Sequence, residues 1–258
     1  MTAPAASSGE TIPREHTASP QHTASPEWAA RAAGQVGELP GWRRPLAVVA
    51  HPDDESFGLG AVLAEFVDGE AAPSVLCFTH GEASTLHGVV GDLRQVRAGE
   101  LAEAARRLGL AGVNLLDEAD GGLEDVPPQQ LTDAVLDVVH RIGADGLIAF
   151  DLTGVTGHRD HIAATTAAVH AGRDCGLPVL GWTLPDTIAR TLNAEFEAAF
   201  AGRPHDEVDL VLRVRRERQL AAVRAHPSQA VPGSVLWRRL ELLGDREHLS
   251  WLVPPASR

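Results

Sequence analysis

What most constrains this chain is an alternation that begins at Pro45. Short apolar runs recur at 45–50 (PLAVVA), 73–79 (PSVLCFT), 113–116 (VNLL), 146–150 (GLIAF) and 178–182 (PVLGW). Between them stand helical stretches at 60–69, 92–110, 128–143 and 160–172; in 92–110 the apolar residues return at three and four. Strands alternating with helices of this length build βαβ units. Such units give an α/β fold, a parallel sheet covered by helices on both faces. The last part reads differently. EVDLVLRV (207–214) alternates like a half-buried edge strand, and RRERQLAAVRAH (215–226) reads as an amphipathic basic helix stopped by Pro227. Periodicity leaves SVLWRRLELL (234–243) as either helix or strand.

In open parallel sheets, ligands bind outside the carboxyl ends of the strands. The residues that follow each run are therefore the candidates for chemistry. His51-Pro-Asp53-Asp54-Glu55 follows the first, and His80-Gly81-Glu82 the second. Asp117-Glu118-Ala-Asp120 follows the third, and Asp151 leads into Gly157-His158-Arg159-Asp160-His161 after the fourth. Acid and imidazole thus collect at one edge. Three adjacent carboxylates repel one another unless a cation reverses that repulsion. His51 and Asp54 are three apart, and His158 and His161 repeat the spacing. A strand-end His, a carboxylate and a second His form the N/O ligand set of a catalytic zinc with one position open. Taken singly, each motif has a plainer reading. An Asp-Asp-Glu run suits a helix N-terminus, and an HxxH pair arises on solvated helix faces.

Charge narrows the partners. With 22 Lys and Arg against 35 Asp and Glu, the net charge is −13, which repels nucleic acid and anionic membrane surfaces. No run approaches a transmembrane helix, and the N-terminus has no secretory pattern. Cys77 and Cys175, far apart, read as reduced, buried residues of a cytoplasmic protein. Residues 1–40 carry a near-tandem repeat, His16–Pro20 and His22–Pro26, and read as a disordered tail. Trp28 and a short helical pattern at 27–35 are candidates to dock on the body. Residues 41–258 then form one domain, in which 205–258 completes the substrate pocket. Gly58-x-Gly60 lacks the third glycine of a dinucleotide fingerprint, and the acids ahead of it would repel a pyrophosphate.

Six ordered matches carry a resemblance. AHPDDESFGLG (50–60) precedes GHRDH (157–161) by about a hundred residues. Between and after them lie Thr79-x-Gly81-Glu82, Arg97-x-x-Glu100-Leu101, Asp120-Gly-x-Leu123 and Ala225-His226-x-Ser228-Gln229. This set resembles the LmbE-like, or PIG-L, family of metal-dependent N-deacetylases. The resemblance implies a Rossmann-like fold and a zinc hydrolase, with Fe²⁺ as an alternative metal. Its metal-activated water would remove an acyl group from an amino-sugar-type amide. Close alternatives are an amidase of a sugar–thiol conjugate and a catalytically silent binding protein of the same fold. The implied partner is a small N-acyl amino-sugar-like molecule, with a homo-oligomer left open. Carried over by motif, the ligands are His51, Asp54 and His161, and the general base is Asp53. His158 stabilises or protonates the tetrahedral intermediate, and Asp160 orients His158. Glu82, Asp120 and His226 face the substrate, though for His226 an exposed helix cap is nearly equal. Arg159 stands where the family has Pro, to meet an anion or point to solvent. Thr156 stands where some members have Tyr. Of the remaining histidines, His80 is a candidate for the pocket, and His140 and His170 read as helix-closing cations. His87, His205 and His248 carry no pattern.

Overall fold

The architecture is taken from a computed structural model, described for residues 36–85 and 91–256. The strands are β1 Val36–Gly37, β2 Pro45–Val49, β3 Ser74–Thr79, β4 Gly112–Glu118, β5 Gly146–Phe150, β6 Val179–Pro185, β7 Gly202–Arg203, β8 Leu210–Arg213 and β9 Arg246–Val253. The helices are α1 Asp54–Phe57, α2 Gly60–Asp68, α3 Leu93–Leu108, α4 Pro128–Ile142, α5 Gly154–Gly157, α6 Arg159–Cys175, α7 Asp186–Phe196, α8 Glu217–Val223 and α9 Val235–Leu243.

The sheet runs in the order β1-β8-β9-β6-β5-β2-β3-β4, with β7 paired to β6. From β4 to β6 every pairing is parallel. The five expected strands are all present. In β2, β3 and β5 the side chains alternate between two cores, which explains why each reads as an unbroken apolar run; the edge strand β4 is only partly buried. Ala47, Val49, Val75, Cys77 and Ile148 enter one cluster with Leu63 of α2 and Leu101 of α3. Leu46, Val48, Leu76 and Leu147 enter the other, against Val135 of α4 and Ala168 of α6. The helix ends follow local chemistry. The Asp92 side chain accepts the backbone N–H of Arg94 at the start of α3, Pro128 opens α4, and Gly143 closes it at φ 64°.

β2 and β5 are neighbours, and the chain leaves them toward opposite sides of the sheet, β2 toward β3 and β5 toward β6. Their shared carboxyl end is the switch point at which ligands bind in such folds. His51 and Asp151 lie just past the two strand ends.

Several elements differ from expectation. Val36 and Gly37, assigned by sequence to the tail, pair in parallel with β8. So β8 is bounded on one side by β9 and on the other by this two-residue strand. Residues 235–243 are helical, with Leu236 and Leu240 buried. α7 and β9 were not anticipated, and β9 lies antiparallel between β6 and β8. α6 continues to Cys175, so His170 lies inside the helix, whereas His140 does occupy the last turn of α4. Cys77 is buried, Cys175 partly so, and both are free. The histidine repeat, Trp28, the pattern at 27–35 and His87 fall outside the described residues. No helix among the described residues is long and apolar enough to cross a membrane.

Candidate active site

Three acids can stand in a row here because each meets a different cation. Asp53 adopts φ 132°, ψ −27°, a left-handed value that costs a non-glycine residue roughly 1–3 kcal/mol. This turn separates its side chain from those on either side. The Asp53 Oδ2 accepts from Arg97 Nη2 at 3.0 Å. Asp54 Oδ2 accepts the backbone N–H groups of Ala50 and His51 at 3.2 and 2.9 Å. The fully buried Glu55 accepts from the Asp53 N–H at 2.9 Å, Ser56 Oγ at 2.5 Å and His226 Nε2 at 2.8 Å. Gly81 makes the approach of Arg97 feasible. At φ 65°, its missing Cβ would stand 1.9 Å from Arg97 Nη1.

The tautomers of two histidines follow from their partners. His161 Nδ1 lies 3.2 Å from the Gly154 carbonyl, which can only accept, so Nδ1 carries the proton. His51 Nε2 lies 3.0 Å from Asp120 and 3.2 Å from Asp160, so it is the protonated nitrogen there. Lone pairs on His51 Nδ1 and His161 Nε2 then face each other at 3.2 Å. Asp54 completes a triangle, with Oδ1 3.3 Å from His161 Nε2 and Oδ2 3.7 Å from His51 Nδ1. Tetrahedral donors about 2.0–2.2 Å from a zinc stand roughly 3.3–3.6 Å apart, so this triangle fits a divalent metal. The electrostatics agree. Burial alone would lower the pKa of His51. The Asp120 and Asp160 hydrogen bonds and the charges of Asp54 and Asp53 outweigh it, pushing the ring up to about 10. The centre thus demands positive charge.

Other atoms lie close enough to compete as ligands. His158 joins His51 and His161 within 4.8 Å, as do Asp120 and Asp160 with His51. Their donors have other work. His158 Nδ1 accepts the Asp160 backbone N–H at 3.2 Å. Asp160 also accepts from the N–H groups of Gly121 (2.7 Å) and Leu123 (3.1 Å), and Asp120 from Ala83 (2.7 Å). Both carboxylates serve as orienting partners behind His51.

Two neighbours have displaced pKa values. Burial raises the Asp53 pKa and Arg97 opposes it; with the Asp54 charge the result is about 6. For His158, burial and the nearby rings of His161 and His51 lower the pKa. It is therefore a neutral ring whose Nε2–H is free to donate.

Some roles read from sequence change. Asp160 reaches His158 through its backbone; its carboxylate orients His51 instead. Glu82 is not part of the cavity wall: its Oε1 takes Arg94 at 3.3 Å and the Asp120 N–H at 3.4 Å, so it braces the Asp120 loop. Asp120 does line the cavity, but its oxygens are held by His51 and Ala83. His226 is neither a pocket residue nor an exposed cap. It is completely buried behind Glu55. His80 pairs with Asp117 at 3.0 Å and is not among the lining residues. Arg159 pairs with Glu124, and Thr156 lines the cavity.

Sequence reasoning assigned no role to Arg97, Ser84 or Gln229. The matched motifs held the signal, since Arg97 grips Asp53 and Gln229 accepts from Ser84 Oγ at 2.8 Å. It also missed the apolar wall of Phe150, Trp182 and Phe200 around a cavity of about 470 Å³.

The family model described as PIG-L, GlcNAc-PI de-N-acetylase, matches residues 46–172. A 1D-myo-inositol 2-acetamido-2-deoxy-alpha-D-glucopyranoside deacetylase 2 from Saccharopolyspora erythraea is 30% identical over 227 residues, covering 71% of this chain and 82% of that protein. The chain belongs to the PIG-L family. Solved structures share the fold. The zinc-inhibited form of teicoplanin deacetylase Orf2 superposes with a TM-score of 0.62 at 20% identity, covering 83% of this chain and all (100%) of that one. The Pseudomonas putida 4-carboxy-2-hydroxymuconate hydratase GalB gives 0.61 at 18%, covering 84% and 98%. A hydratase on the same PIG-L-like fold means that the reaction must be argued from the site.

Proposed function

We propose that this PIG-L family member is a metal-dependent N-deacetylase that hydrolyses the acetamide of a small N-acetylglucosamine-containing molecule. The observation that carries the reading is the triangle of His51 Nδ1, His161 Nε2 and Asp54, with the near-neutral Asp53 beside it. The curated relative is named for deacetylating an N-acetylglucosaminyl inositol, which supplies the substrate class. His51, Asp54 and His161 would hold a divalent metal, zinc or Fe²⁺. Such an ion, when bound, acts as a Lewis acid on the amide carbonyl and lowers the pKa of water.

The remaining work belongs to the chain. Asp53, with its pKa near 6, takes a proton from the attacking water and returns it to the amine as the C–N bond breaks. Arg97 fixes the Asp53 carboxylate on the far side from Asp54. His158, fastened through Nδ1, offers Nε2–H to the oxygen on which negative charge develops. Because its pKa is lowered, His158 acts as a neutral donor and contributes no falling limb above pH 7. Asp53, by contrast, gives a rising limb near pH 6.

Asp53→Asn tests the assignment. It keeps shape while removing basicity, so metal content stays at the parent level and kcat falls by about 10²–10⁴. Loss of metal, or turnover near the parent's, would assign the base elsewhere.

A further inference from the structure

We propose that the half of the cavity beneath β5 and β6 is an acyl subsite built for chains longer than acetyl. This rests on the deacetylase reading and extends it to the acyl side. The cavity is divided in chemistry. On the β3–β4 side its wall carries Asp120, Gly121, Ser84 and Gln229, and the Asp120 carboxylate has lone pairs beyond those that meet His51 and the Ala83 N–H to accept from a sugar hydroxyl. The opposite wall is mostly apolar, with Phe150, Val155, Trp182, Phe200 and Leu236, and the Arg239 guanidinium stacked over Trp182. The metal-binding triangle lies between the halves, since Phe150 packs on His161 with ring centroids 4.9 Å apart. An amide carbonyl centred there directs its amine and its acyl group to opposite sides. Hydroxyls left without partners in an apolar wall cost free energy, so the sugar belongs in the polar half. The acyl group then enters the aromatic half.

This wall is held in place. Phe150 and Trp182 pack at 5.6 Å, and the Arg239 guanidinium lies 5.3 Å over Trp182. Arg239 also donates from Nη2 to the Phe57 carbonyl at 2.8 Å, which fixes the guanidinium across the wall. Val155, a β-branched residue at φ 65°, occupies a backbone region that such residues rarely adopt. It presents its apolar side chain to the cavity while its carbonyl accepts from the Ala201 N–H at 2.7 Å.

The test is calorimetry on the full, metal-loaded chain with straight-chain carboxylates from acetate to octanoate, which are products and cannot be turned over. Affinity should rise about 3- to 4-fold per added methylene until the half is full, as expected for burying a CH₂. Leu236→Trp, checked for folding by its thermal transition, should remove most of the gain between acetate and hexanoate. An affinity that is flat or falls with chain length in the parent overturns the subsite. Amine release from N-acetyl- and N-hexanoylglucosamine is measured alongside. If neither is cleaved while the carboxylate series still rises, the half binds aliphatic chains but the deacetylase reading fails, and the acyl role of the half fails with it. If only the acetyl compound is cleaved and the series is flat, the reading stands and the subsite fails.

Discussion

His51 shows how one residue links fold stability to the chemistry. With no cation at the centre, the surrounding carboxylates hold a proton on its ring up to about pH 10. A group raised above its unfolded value stabilises the fold fully below the unfolded value, about 6.5 for histidine. That contribution declines as pH rises and is gone once pH passes about 10. The metal-free protein should therefore lose stability steadily between about pH 7 and pH 10 in urea titrations. A bound divalent cation replaces the proton, so the metal-loaded protein should show a much flatter profile over the same interval. Parallel profiles for the two forms would contradict the ligand assignment. This role could be suspected from the histidine three residues before Asp54. The partners behind it could not, because Asp120 and Asp160 are distant in sequence and meet His51 only through the sheet.

At the scale of elements, two of the short sequence motifs turn out to be a fastening. Glu100 of α3 accepts from the Ser228 N–H at 3.0 Å and its Oγ at 2.5 Å. His226, two residues earlier, braces Glu55, which in turn holds the Asp53 N–H. The link from α3 and the segment after α8 to the base is thus continuous. Glu100→Ala leaves two buried donors without an acceptor and should cost about 2–4 kcal/mol of stability, read from the urea midpoint. A cost below about 0.5 kcal/mol would show that the segment is held by packing alone. The central parallel strands β2, β3 and β5 were legible because both their faces are buried. β9 was not, because Arg246-Glu247-His248 looks solvated. Glu247 is in fact fully buried, held by Arg216 and the Trp182 indole at 2.6 Å each. A pairing across 65 positions leaves no periodic trace. His226 was misplaced for the same reason, since Glu55 lies 171 positions away.

For the whole molecule, the sheet defines where the domain starts. Val36 and Gly37 close the β8 edge, and Trp42 stacks on Phe66 at 5.7 Å and meets Trp251 at 6.1 Å. Gly146 gives Trp42 its space, since a Cβ there would stand 2.2 Å from the indole. Removing residues 1–35, which carry too little apolar sequence to offset their ordering, should leave stability within about 0.5 kcal/mol. Removing residues 1–42 also strips the partly buried Trp42 from the core surface and should cost more, about 2–3 kcal/mol. If the shorter cut were equally damaging, the first 35 residues would belong to the domain. The architecture brings the ends of β2 and β5 together, and with them the residues proposed as ligands, base and oxyanion donor. The most direct measurement is amine release from an N-acetylglucosaminyl inositol by protein stripped with chelator, then reloaded with one equivalent of zinc or Fe²⁺. The account predicts no release from the stripped protein and restored release on reloading with one of these ions. Release that is unaffected by stripping, or absent in both reloaded forms, would contradict it.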